Sequence, residues 1–145
     1  MPDCYDATIE FPEGVLIPSE LDDLLPGECT APETLPGGVI RVQGYVAWGQ
    51  FEELEARLKA LDVPFDRETG GDHQYMPFVL RWRPGAGEWT AEMDTAGTLV
   101  VSLQAVIEAA KAGPDAVAQL IARYQEPGPL REWIRAHEWR RVARG

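Results

Sequence analysis

Apolar and polar positions alternate from the start of the chain. Tyr5, Ala7, Ile9 and Phe11 fall on one side and Asp6, Thr8 and Glu10 on the other, which predicts a strand with one solvated face. Pro12-Glu13-Gly14 stops it. Pro18-Ser19-Glu20-Leu21-Asp22-Asp23-Leu24-Leu25 predicts a short acidic helix, with Ser19 as its cap and carboxylates in the first turn, where the helix dipole favours them. Pro26-Gly27 ends that helix, and Glu28 to Gly38 reads as a loop. Alternation returns from Val39 to Val46, with Gly44 marking a bulge or a close approach.

From Gln50 the period becomes helical: Phe51, Leu54, Leu58 and Leu61 make one stripe, and Glu52, Glu53, Glu55, Arg57 and Lys59 take the other face. Glu53 with Arg57 and Glu55 with Lys59 are spaced as surface ion pairs, each contributing about 0.2–0.5 kcal/mol. Val63-Pro64 stops the helix and Phe65-Asp66-Arg67 resumes extended chain. After the turn at Gly70-Gly71-Asp72, a strand is expected from Gln74 to Arg83, with Pro77 near its start. Turns at Pro84-Gly85-Ala86-Gly87 and Asp94-Thr95-Ala96-Gly97 lead into further strands at Glu88 to Met93 and Thr98 to Val101.

Three helices then follow. Ser102 caps the first, which carries Leu103, Val106, Ile107 and Ala110 and ends at Gly113-Pro114. Asp115 to Gln125 aligns Val117, Leu120, Ile121 and Tyr124, and Pro129 opens the last, with Leu130, Trp133, Ile134 and His137 on its apolar face. The expected fold class is α+β: an antiparallel sheet meander with one crossover helix packed on it and a C-terminal group of three helices. A single domain over 1–145 is expected, divided into an acidic segment 1–38, a core 39–103 and a helical segment 104–145.

Composition changes the picture through charge. The net charge is −11, and residues 1–40 carry nine carboxylates with no Lys or Arg, whereas the chain from Arg123 onward carries six arginines against three glutamates. Such an acidic head repels nucleic acid and attracts basic protein surfaces, which disfavours a DNA-binding role. Cys4 and Cys29 lack CxxC spacing, and no apolar run is long enough for a bilayer or a secretory signal, so a cytoplasmic, reduced protein with no membrane role is expected.

Candidate chemistry is sparse. No GxSxG elbow, phosphate loop or metal-ligand spacing is present, and neither a cofactor nor a metal is expected. His73, beside Asp72 and Tyr75 in a glycine-rich turn, is the one place where a general base stands near a phenol and a carboxylate; Arg81 and Arg83 could line a cleft with it. Trp133 reads as a core residue and Trp139 as a partner contact.

Trp48-Gly49-Gln50-Phe51-Glu52-Glu53-Leu54-Glu55, then Leu61-Asp62-Val63-Pro64-Phe65-Asp66-Arg67, Tyr75, Arg83-Pro84-Gly85, and Asp94 with Gly97 before Val100-Val101 carry a likeness. Over residues 48–101 the chain resembles small uncharacterised acidic proteins of bacterial phages, plasmids and integrative elements. The resemblance implies a genetic setting in which such proteins block host defence, as anti-CRISPR and anti-restriction proteins do. It implies no catalytic residue.

These readings lead to one expectation and one alternative. The expectation is a non-enzymatic inhibitor or adaptor that places Glu10, Glu13, Glu20, Asp22, Asp23 and Glu28, with Glu52, Glu53 and Glu55, against a basic, nucleic-acid-binding surface of a host protein complex. The alternative is an enzyme for a small molecule or nucleotide, built around His73, Asp72 and Tyr75.

Overall fold

Strand β1 (Cys4–Pro12) lies inside the sheet, between β3 (Val39–Ala47) and β4 (Phe65–Thr69), and is antiparallel to both. β3 and β4 therefore run in the same direction on either side of it, and the helix between them, α2 (Glu52–Ala60), carries the chain across the sheet. The computed structural model describes residues 3–71 and 76–140. Among these, the strand order is β2-β3-β1-β4-β5-β6, with β2 at Glu33–Leu35, β5 at Phe78–Arg83 and β6 at Gly87–Glu92. β4, β5 and β6 form the meander. The remaining helices are α1 (Pro18–Leu24), α3 (Leu103–Ala112), α4 (Pro114–Gln125) and α5 (Leu130–Ala136), and the fold is α+β.

Period-two patterning decides which face is dry. Ala7, Ile9 and Phe11 of β1 join Val42 and Val46 of β3, Phe65 of β4 and Leu80 of β5 beneath Phe51, Leu54 and Leu58 of α2, with Val15 and Leu21 of the α1 region closing the same core. Phe65 and Trp82, directly paired across β4 and β5, stack at 5.9 Å between ring centroids. The opposite face is polar. At its β5–β6 end Val79, Ala91 and Met93 pack with Trp89, Leu99 and Tyr124, and the start of α5 covers Asp66 and Arg83.

A buried polar network fixes where α2 begins. Arg67 Nε donates to Glu55 Oε1 at 3.0 Å, and its Nη1 donates to the Gly49 carbonyl at 3.0 Å and to Thr69 Oγ1 at 2.7 Å. Glu55 Oε2 accepts the Phe51 N–H at 2.7 Å, satisfying an otherwise orphaned donor at the helix start. Only glycine suits position 49: its φ is +64°, and a Cβ there would lie 2.2 Å from Thr69 Cγ2.

Several expectations are corrected by this arrangement. Helix α1 starts two residues earlier than a Ser19 cap would place it; Ile17 occupies the cap position with Pro18 in the first turn, and no side chain caps the helix start. The expected loop 28–38 contains β2 and an isolated bridge from Cys29 to Gly44, because the outer edge of β3 supplies partners for that backbone. Thr98 to Val101 forms no strand; one bridge joins Met93 to Leu99. Trp139 is partly buried against the main core, and Trp133 is half-buried, 4.3 Å from the His137 ring. Ser102 does cap α3, accepting the Ala105 N–H at 3.1 Å. Cys4 and Cys29 are not joined by a disulfide. No helix is long and apolar enough to cross a membrane among the described residues.

Candidate functional site: the open sheet face

Side chains that alternate away from the α2 core stand on a sheet surface that α1 and α2 leave uncovered. Strand register sets them in rows. One row runs Glu33, Arg41, Glu10, Asp66, Arg81 and Trp89, one residue from each strand of the sheet. The next runs Gln43, Thr8, Glu68 and Val79. Two carboxylates, Glu10 and Asp66, are thus direct cross-strand neighbours at the centre, with an arginine outside each of them.

The central charges have unequal surroundings. Asp66 Oδ2 accepts the Leu130 N–H at 2.9 Å and lies 3.7 Å from Arg81 Nε. Arg83 Nη1 donates to the carbonyls of Phe65 and Trp82 and meets Asp66 Oδ1 at 2.7 Å as a charge contact. Arg83 Nη2 donates to the Gly128 carbonyl at 2.8 Å, and the guanidinium sits 5.3 Å from the Trp133 ring centre, so this arginine clamps the start of α5 to the sheet. Burial raises the Asp66 carboxyl above its ordinary value, with Arg83, Arg81 and the Leu130 N–H pulling the other way. Glu10 has a poorer set of partners, Arg41 at 3.6 Å being its ion pair. Its carboxyl is raised by burial, with Asp66 and Glu68 adding to the rise and Arg41 and Arg131 opposing it.

Walls rise from this floor on two sides. Pro129, Leu130 and Arg131 form one and the 94–97 turn the other, the latter held by Asp94 Oδ1 accepting the N–H groups of Ala96 and Thr98. Between them lies a cleft of about 440 Å³ over Glu10, Arg41, Asp66, Glu68 and Arg81. It continues past Thr8, Gln43, Glu68 and Gly97 into a shallower groove of about 560 Å³. The two halves differ in charge. The outer groove is lined by Asp6, Glu28, Glu68 and Asp94, and no Lys or Arg lines it among the described residues.

The sheet divides the expected acidic set. Glu20, Asp22 and Asp23 of α1 stand with Glu52 and Glu53 of α2 on the helical side, where Arg57 of α2 donates to Glu20 at 2.8 Å, whereas Glu10 and Glu28 line the open face. Glu13 is exposed beside Gly38. Glu55 does not belong to either surface: it is 7% exposed and paired with Arg67. The surface pairs expected within α2 are replaced by longer-range ones, Arg57 with Glu20 and Lys59 with Glu88, because tertiary neighbours approach these cations from α1 and β6.

His73, Asp72 and Tyr75 lie outside the described residues. Of the arginines suggested to accompany them, Arg81 lines the inner cleft and Arg83 is 1% exposed behind it. Asp6, Glu68 and Asp94 went unnoticed as site residues. Asp6 was visible as a wet position of β1, but its convergence with Asp94 depends on the β6 turn folding over the sheet. No group of three or more His, Cys, Asp or Glu side chains is arranged to hold a metal ion among the described residues. Comparison with protein-family models, curated proteins and solved structures returns no match for this chain.

Proposed function

We propose that this protein is a non-enzymatic acidic adaptor or inhibitor that binds a basic protein surface through the groove on its open sheet face. The observation that carries the reading is the convergence of Asp6, Glu28, Glu68 and Asp94 in one concave strip without a cation among its described lining residues. A cleft of one sign, with a low-dielectric wall behind it, focuses its field and speeds encounter with oppositely charged groups. Asp22 and Asp23 of the head, with Glu52 and Glu53 of α2, stand on the other side of the sheet and add long-range attraction without forming the contact. A surface that normally holds phosphates is the partner chemistry this groove suits, and a host defence complex is the setting that the resemblance over 48–101 implies.

The test compares three immobilised proteins incubated with bacterial lysate, the captured proteins being identified at stepped salt concentrations. Wild type should retain a basic, nucleic-acid-binding protein and release it as salt exceeds physiological strength, where the Debye length is about 8 Å. Asp6→Lys with Asp94→Lys should abolish capture, and Asp22→Lys with Asp23→Lys should slow it without abolishing it. Capture that survives high salt, or that depends on Asp22 and Asp23 alone, would refute the placement in the groove.

A further inference from the structure

The inner cleft differs from the outer groove in being lined by guanidinium groups, those of Arg41, Arg81 and Arg131. Arg81 is 9% exposed, lines the cleft, and its Nε has no hydrogen-bond partner; its nearest acceptor is Asp66 Oδ2 at 3.7 Å, and its guanidinium rests 4.9 Å from the Trp89 ring centre. Arg41 Nε is likewise buried without a hydrogen-bond partner among the described residues, and its Nη2 lies 3.6 Å from Glu10 Oε1. An unbonded buried donor is costly, so these two guanidinium groups are held less completely by the protein than that of Arg67, which has three acceptors.

Between and beside these two arginines stand Glu10, Asp66 and Glu68, of which Asp66 is already engaged by Arg83 and the Leu130 N–H. A bare anion bound at Arg81 would face their repulsion, and a bare cation bound at Glu10 and Glu68 would face Arg41, Arg81 and Arg131 and leave Arg81 unsatisfied. A molecule that carries both charges a few ångströms apart offers Arg81 an acceptor and Glu10 and Glu68 a cation at once. We propose that the inner cleft is a binding site for a small zwitterion, a free α-amino acid, with its carboxylate on Arg81 and its ammonium between Glu10 and Glu68. Thr8 Oγ1 and the Gln43 amide, on the adjoining row, supply neutral hydrogen bonds to the same ligand. A volume of about 440 Å³ accommodates one such molecule with its side chain directed toward the outer groove.

The assay is saturation-transfer NMR of the full chain with pooled free L-amino acids, followed by calorimetric titration of those that respond. Acetate, methylammonium and inorganic phosphate serve as probes with one kind of charge. At least one amino acid should bind, and each single-charge probe should bind roughly tenfold more weakly or worse, since each charge-assisted hydrogen bond lost costs about that much affinity. Glu68→Gln, at an exposed position that leaves folding intact, should weaken the amino acid roughly tenfold. Arg81→Lys keeps the charge beside Asp66 and removes the fork; it should weaken the carboxylate contact while far-UV circular dichroism stays unchanged. Phosphate binding as tightly as the amino acid, unaltered affinity in Glu68→Gln, or no saturation transfer from any amino acid would each overturn the proposal.

Discussion

Removing Arg67 should cost more stability than removing any other single charge on the α2 side of the sheet. Its side chain is 3% exposed, and it donates to a carboxylate, a hydroxyl and a carbonyl that all lie inside the fold. Arg67→Met keeps the apolar stem but strands the Glu55 carboxylate, itself 9% exposed, with the Phe51 N–H as its remaining hydrogen bond. Breaking one side of a buried ion pair costs about 3–5 kcal/mol, because the surviving charge loses compensation that water cannot replace. For a domain of this size each kcal/mol moves the midpoint by about 2–4 °C, so a fall of roughly 6–20 °C is expected.

Glu55→Gln should cost less, about 1–2 kcal/mol, since the amide oxygen can still accept one of the two bonds and no charge is left alone except a guanidinium with two other acceptors. Urea unfolding of both single variants and of the double variant Arg67→Met with Glu55→Gln closes a thermodynamic cycle. The double variant should be more stable than the sum of the two losses implies, because the stranded carboxylate is gone. Additive losses, or a cost below about 1 kcal/mol for Arg67→Met, would show that water reaches Glu55 and that the network does not fix the start of α2.

Leu58→Ala, at a position with 0% exposure beneath the sheet, should cost about 2–5 kcal/mol by chemical denaturation. Ile107→Ser on the exposed stripe of α3 should stay within about 0.5 kcal/mol by the same measurement. Gly49→Ala should destabilise markedly in thermal melts, through both its left-handed φ and the clash with Thr69, and Thr69→Ser should return part of the loss by removing Cγ2. A gain of nothing from Thr69→Ser would assign the whole effect to the backbone. Glu10 is held above 4.5 in the folded chain, so the native state binds its proton more tightly than the unfolded chain does. Its contribution to stability falls as pH rises from about 4.5 through the raised value, and Glu10→Gln should gain in melting temperature relative to wild type over that interval.

What the sequence made legible follows from which interactions are local. The Phe51, Leu54, Leu58 stripe of α2 and the alternation in β1 and β3 are set by period and burial, and both appear where the pattern places them. The β4–β5–β6 meander is legible for the same reason, its turns being marked by Pro84-Gly85 and neighbouring glycines. Sheet order is another matter. Nothing in the spacing of residues 4–12 states that β1 enters between β3 and β4, and without that order Glu10 and Asp66, 56 positions apart in sequence, cannot be seen as neighbours. Glu55 was misplaced because it falls on the polar side of a helical wheel; Arg67, reaching up from β4, turns that side into an interior. β2 was missed because Glu33 and Thr34 are exposed and its strand character comes from the edge of β3, which lies beyond the reach of local propensity.

The two faces of the sheet carry buried charge under different terms, and the difference bears on what each is for. On the α2 face, the Arg67 fork has an acceptor at Glu55, Gly49 and Thr69, so the network holds a turn and a helix start in one register. On the open face, Arg81 and Arg41 keep unbonded Nε donors, while Glu10 and Asp66 stand side by side although Asp66 makes Glu10 harder to charge. A chain selected for stability alone would replace such a row with alternating apolar residues, because well-packed apolar substitutes for buried ions are often neutral or stabilising. Glu10→Val with Arg81→Met, which leaves Asp66 on Arg83 and on the Leu130 N–H, would therefore be expected to leave the α2 core untouched and to hold or raise stability in urea unfolding. The incompletely bonded charges of the wild-type row lie where the two walls leave the sheet accessible, and that coincidence of buried charge with an open cleft is what sets this surface apart from the α2 face.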